Sequence, residues 1–127
     1  MNGRFVLSWM IFMHIVDDYY LQKILAQMKQ KKWWKENAPD RMYKYDYLVA
    51  LFMHSFSWAF MIMLPIAYTL DFNVTAKFDM IFVANQFVHG IVDHMKANEF
   101  KINLIQDQAI HILQILVTFT LFGGSLA

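Results

Sequence analysis

Apolar residues fill this chain in four long runs, and the few ionisable residues inside those runs recur at helical spacing. The first run starts Phe5-Val6-Leu7-Ser8-Trp9 and extends to about Leu25, interrupted by His14, Asp17 and Asp18. A polar stretch follows from Gln27 to Lys44, and Pro39 prevents one continuous helix through it. From Tyr47 to Leu70 there are 24 residues without a single Lys, Arg, Asp or Glu. That exceeds the roughly 20 residues needed to cross a hydrocarbon core. Pro65 near its far end is tolerated in a membrane helix. Asp71 to Lys77 make a short connection, and a third run goes from Phe78 to Ala97. After the turn Asn98-Glu99-Phe100-Lys101, a fourth run goes from Ile102 to Phe122, where Gly123-Gly124 ends it. The pattern predicts an all-α fold: one domain over residues 1–127, an integral membrane four-helix bundle made of two antiparallel helical hairpins. For the first run, with its polar interruptions, a buried helix of a soluble protein is the alternative.

Composition strengthens the membrane reading. Hydrophobic residues are 58% and charged residues 17% of the 127, against a charged share of about 25% in typical globular domains. The mean hydropathy is only +0.32, because the stretch from Gln27 to Lys44 holds much of the charge. A net charge of +1 gives no reason to expect nucleic acid as a partner. With no cysteine, there is neither a disulfide framework nor a thiolate metal site. The first run lacks a small-residue cleavage site after a short apolar core, so it reads as a retained span.

Basic residues orient the spans. From Lys23 to Lys44 there are seven Lys or Arg, and the third connection adds Lys96 and Lys101. Arg4 and Lys77 are the basic residues on the other side. The positive-inside bias places the basic loops in the cytoplasm and both termini outside, as in a multi-pass inner-membrane protein. Trp33, Trp34, Tyr43, Tyr45 and Tyr47 sit where interfacial aromatics belong. The basic aromatic stretch is expected to lie on anionic headgroups of the bilayer. A protein partner and a homo-oligomer are both left open, since no G-x-x-x-G face is present to direct helix pairing.

With those spans drawn, seven ionisable residues fall at one depth. His14 and Asp18 lie in the second half of span one, and His54 lies seven residues into span two. His89 and Asp93 precede the end of span three, and Asp107 and His111 open span four. At 1.5 Å per residue, all seven lie roughly 6–16 Å from the cytoplasmic face. Three spans carry a carboxylate and an imidazole at i, i+4, which puts both side chains on one helix face. Ionisable residues inside membrane helices are costly and mark sites. Neutral imidazoles and carboxylates are ligands for Zn, Mn or Fe. Seven such groups exceed one tetrahedral shell, so either some orient the others or two ions are bound. The candidate metal ligands are therefore His14, Asp18, His54, His89, Asp93, Asp107 and His111. A hydrogen-bonded polar core is the plain alternative, but three buried carboxylates are too many for helix glue.

The same residues carry a resemblance. His14-Ile15-Val16-Asp17-Asp18-Tyr19-Tyr20-Leu21-Gln22 is similar to the H-x-x-x-D-[FY]-x-L-Q opening of a bacterial and phage membrane family catalogued as domain of unknown function 3307. The likeness continues through His54, through His89-x-x-x-Asp93 with Lys96-Ala97, and through Asp107-Gln108-x-x-His111. It covers nearly the whole chain. More distantly, the chain resembles proteins labelled membrane-bound metal-dependent hydrolases. The resemblance implies a four-helix integral membrane protein, a metal and hydrolysis. Two features depart from it. Many relatives carry a second His four residues after the one matching His54, where this chain has Trp58, and the basic loop with Trp33-Trp34 is outside the pattern.

Three functions follow. The first is a hydrolase of a phosphate ester or lipid-like substrate. In it His54, His89 and His111 with Asp93 or Asp107 hold the metal, Asp18 takes a proton from water, and Lys96 or Asp93 acts at the reacting centre. Gln22 and Gln108 would bond a ligand oxygen or cross-link helices. The second is a non-enzymatic, metal-stabilised membrane scaffold that binds a partner. The third, a proton or ion pathway, is weakened because few ionisable residues continue toward the outer face. Lys96 is the one obvious cation near the site, Asp17 is expected at the interface or behind the ligands, and His94 is expected to face the headgroups.

Overall fold

The computed structural model describes residues 2–123; Met1 and residues 124–127, and with them Gly124 of the expected stop, lie outside the described residues. Among the described residues the chain is helical throughout, with no strand. Helix α1 spans Gly3–Ile15 and runs on as a π-helical segment, Val16–Leu21. Two short helices follow, α2 (Leu25–Met28) and α3 (Lys31–Asn37), then a 3-10 turn at Arg41–Tyr43. The remaining helices are α4 (Asp46–Thr69), α5 (Ala76–Ala97) and α6 (Leu104–Leu121). Side chains close the N-termini of α1, α5 and α6. Asn2 accepts from the Arg4 amide, and Thr75 accepts from Phe78. Asn103 and Gln106 form a reciprocal capping box. Lys23, Asp71, Phe72 and Phe100 adopt positive φ, and each lies in a turn that follows a helix.

The long helices form a four-sided ring. α4 packs on α1 and α5, and α6 closes the ring against α1 and α5. Neighbours run antiparallel: Trp9 meets Tyr68 while His14 meets Trp58, and Phe78 meets Phe122 while His89 meets His111. The α4 inward face repeats at three and four residues through Tyr47, Ala50, Leu51, His54, Trp58, Ile62 and Ile66. The interior divides in two along its length. One half is an apolar core of Val6, Met10, Ile62, Met63, Ile66 and Ile115, capped by Phe78 and Phe122. The other half is filled by buried His and Asp side chains. Trp58, fully buried, lies at the junction.

The outside is more apolar than the second half of the inside. α6 buries Asp107, His111, Gln114 and Thr118, yet exposes Ile105, Leu113, Val117 and Leu121. By length and composition, Arg41–Thr69 and Leu104–Leu121 are apolar enough to cross a membrane. Of the four expected spans, these two meet that measure. α1 has 13 residues before its π segment, and α5 spends its inward face on Asn85, Gln86, His89 and Asp93. Pro65 is accommodated inside α4, which continues to Thr69.

The expected polar loop is largely helical. Trp34 donates its indole N–H to the Met28 carbonyl at 2.6 Å and stacks on Tyr43. Asn98, just past α5, accepts from the Lys31 amide at 2.7 Å and donates to the Lys29 carbonyl at 2.9 Å. These bonds fold the segment back under the polar half of the interior. Ile62→Ala, in the dense half, is expected to cost about 2–5 kcal/mol. Phe52→Ala, on the outside at 60% exposure, should cost under about 1 kcal/mol. Thermal unfolding of the purified proteins compares the two.

Candidate metal centre

Four ligand atoms from three helices converge in the polar half. His54 Nε2 of α4 lies 3.1 Å from His89 Nε2 of α5. It also lies 3.2 Å from Asp18 Oδ1 and 3.3 Å from Asp93 Oδ2. His89 Nε2 is 3.5 Å from Asp93 Oδ2 and 3.9 Å from Asp18 Oδ1. A tetrahedral ion with bonds of about 2.0–2.1 Å sets its ligand atoms about 3.3–3.4 Å apart, and these five separations bracket that edge. Hydrogen bonding accounts for part of the arrangement, since His54 Nε2 and His89 Nε2 lie at hydrogen-bond distance. Asp18 Oδ1 is buried without a hydrogen-bond partner although His54 Nε2 is 3.2 Å away. Among the described residues, Asp18–His54–His89 and His89–Asp93–His111 are the two groups whose atoms are close enough to hold an ion; they share His89, and Asp18 and Asp93 fall in different groups.

Charge points the same way. Asp17, Asp18, Asp93 and Asp107 are buried or nearly so, and two ammonium groups reach them: Lys29 at 2.8 Å from Asp93 and Lys96 at 3.4 Å from Asp107. His111 faces acceptors with both ring nitrogens, Gln114 Oε1 and Asp93 Oδ1, and so counts as a third cation, which leaves negative charge in the cluster. An uncompensated charge in such an interior costs several kcal/mol. Buried His and Asp groups are thus positioned to bind a metal ion.

The remaining groups orient the ligands. An indole N–H can only donate, so Trp58 donating to His14 Nδ1 at 2.8 Å leaves the His14 proton on Nε2, 2.9 Å from Gln108 Oε1. Gln108 in turn donates to Asp107 Oδ2 at 3.0 Å and to Asp18 Oδ2 at 3.3 Å. His14, expected among the ligands, has both nitrogens engaged and positions Asp18 through Gln108. The Trp58 ring also stacks on His89 at 4.2 Å, and His111 stacks on His89 at 4.0 Å. On the far side, His111 Nδ1 donates to Gln114 Oε1 at 3.1 Å, and Gln114 donates to Asn85. His111 Nε2 is thereby aimed between Asp93 Oδ1 at 3.2 Å and Asp107 Oδ1 at 3.3 Å. Asp107 Oδ1 is also without a hydrogen-bond partner. Gln22 does not reach the cluster; it bonds the Asp18 carbonyl on its own turn.

Asp17 takes the second of its two expected places, behind the ligand His54, while Lys29 is a contributor the sequence did not mark. Asp17 is 1% exposed, takes a hydrogen bond from Ser57 and lies 3.6 Å from His54 Nδ1. Adjacent residues of an α-helix diverge by about 100°. The π segment at Val16–Leu21 widens the turn and lets Asp17 face inward beside Asp18. Lys29, assigned to the surface stretch, is buried on Asp93, so Lys96 is not the sole cation at the site. Adjacent acidic residues hinted at the first; nothing in the spacing marked the second. His94 lies at the rim, stacked on Tyr47 and 3.2 Å from Glu99. There the Lys101 ammonium, bonded to Glu99 at 2.8 Å, holds its carboxyl below the usual range and is itself raised in return.

Comparison with protein families, with curated proteins and with solved structures found no match to this chain. The site must therefore be read from its own geometry. His54→Ala and His89→Ala are each expected to abolish stoichiometric zinc binding, whereas His14→Ala should keep the ion with affinity lowered roughly 10- to 100-fold. Elemental analysis and zinc titration of the purified variants check this; an equal, complete loss in all three would make His14 a ligand.

Proposed function

We propose that this chain is a four-span membrane protein that holds one divalent ion, zinc fitting best, between Asp18, His54, His89 and Asp93, and hydrolyses a phosphate ester or lipid-like substrate near the cytoplasmic face. The membrane half of the reading is supported by helices that turn polar groups inward and large apolar side chains outward. The basic, aromatic segment from Lys29 to Tyr47 at one end of the ring supports a cytoplasmic placement of that end. The resemblance to the family catalogued as domain of unknown function 3307 agrees with both.

Hydrolysis rests on one observation. Beside the four ligand atoms stands a second polar set that holding an ion does not require. Asp107 has an unpartnered oxygen, His111 lies between Asp107 and Asp93, and Lys96 sits over the other Asp107 oxygen. A divalent ion would supply Lewis acidity and bring the pKa of a coordinated water toward 7. Asp107, through its unpartnered oxygen, can accept a proton there. Lys96, 36% exposed, faces the side from which an anionic group would arrive. Asp18 is the most exposed carboxylate of the set at 10%.

A second reading is favoured by closure. All four corners are protein atoms, and His54, His89 and His111 are at most 1% exposed, which is the arrangement of structural sites. In that reading the ion ties α1, α4 and α5 together as a scaffold for a partner. The two readings separate on Asp107→Asn. Under the hydrolase reading it keeps the metal and lowers hydrolysis of a generic phosphate ester by about 100-fold or more. Metal-loaded wild-type protein without hydrolysis, but with thermal stability lost on chelation, establishes the scaffold instead. Protein purified free of metal that binds none would sink both. Because the chain has no native cysteine, Lys35→Cys provides a single label. It should react with an impermeant maleimide only from the cytoplasmic side.

A further inference from the structure

Lys29 is the one group of the cluster contributed from outside the four long helices, and its position conflicts with the ion. Its Nζ lies 2.8 Å from Asp93 Oδ2, the same oxygen that stands 3.3 Å from His54 Nε2 and 3.5 Å from His89 Nε2. The residue is 8% exposed, and its carbonyl is held by Asn98 at 2.9 Å. Asn98 also holds the Lys31 amide, so two bonds staple the Leu25–Lys31 segment across the end of the ring. An ion bonded to that oxygen at about 2 Å would face an ammonium roughly 4 Å away. Like charges at that distance repel strongly in a partly desolvated site.

We propose that Lys29 is a tethered cation that competes with the divalent ion for Asp93, so that it lowers the affinity of the site and metal binding releases the Leu25–Lys31 segment from the mouth of the cluster. This rests on the metal reading given above. The remaining charged groups around Asp93 are unsuited to the same role. His111 reaches the other oxygen, Oδ1, and Lys96 bonds Asp107. Coupling is reciprocal: what metal binding does to the staple, loosening the staple must do to metal binding. The device lets Lys29 offset part of the negative charge of the empty site and report occupancy at the basic aromatic face beyond it.

The experiment is zinc titration by calorimetry on the full-length purified protein, with limited trypsin digestion as the second readout. Lys29→Gln keeps a hydrogen-bond donor to Asp93 but removes the charge. It should bind zinc roughly tenfold or more tightly, whereas Lys29→Arg should bind like wild type. The exposed Lys32→Met, remote from the cluster, should also leave affinity unchanged. Asn98→Ala, which loosens the staple alone, should tighten zinc binding several-fold. In wild type, zinc should speed tryptic cleavage after Lys29 and Lys31. Lys29→Gln binding zinc no better than wild type, or zinc protecting the segment, overturns the proposal while leaving the metal site standing. No zinc bound by any variant overturns the metal reading and this proposal with it.

Discussion

Charge compensation in a buried space is the constraint on which the rest depends. Four carboxylates and four imidazoles occupy one half of the interior of a small helical ring. Without compensation such a set would open the ring to water, because each ion removed from solvent costs more than helix packing returns. Lys29 and Lys96 answer part of that demand, and a metal ion bound where proposed would answer more of it. The apolar half, from Val6 and Met10 to Ile115 and Phe122, can then close because the polar half is satisfied next to it.

The same constraint explains details that look unrelated. Trp58 is the largest fully buried side chain, and it both stacks on His89 and fixes the tautomer of His14. Gln108 and Gln114 perform matching tasks on opposite sides, one linking His14 to two carboxylates and the other holding His111 by Nδ1. Each has an amide with one accepting and one donating end, which suits a position between an imidazole and a further polar group. The π segment adds the fourth carboxylate. A local widening of one helix turn thus changes the charge of the whole site.

The hydrolytic and structural readings differ in what surrounds the ion, since both use the same ligands. A closed set of four protein corners argues for holding helices together. The pair Asp107 and His111, with Lys96 beside it, argues for chemistry, because holding an ion needs none of the three. Both readings agree that α1, α4 and α5 are joined through one centre and that α6 reaches it through His111 and Asp93.

The long helices were legible in the chain because apolar run length and end signals are local properties. The expected spans 47–70 and 78–97 differ from α4 and α5 by at most two residues at either end. That His14, Asp18, His54, His89, Asp93, Asp107 and His111 meet was also legible, since equal depth in antiparallel helices follows from counting residues. Tertiary structure alone decided which of them face a common centre. Periodicity fixes the face and height of a side chain; it leaves open the rotation of neighbouring helices, which determines whose lone pair meets whose. So His14 turned to Trp58 and Gln108, and Asp17 came inward on a turn that no α-periodicity contains. Lys29 reached Asp93 across 64 residues of chain, by a fold-back that depends on Asn98 as well as on the local bond from Trp34 to the Met28 carbonyl.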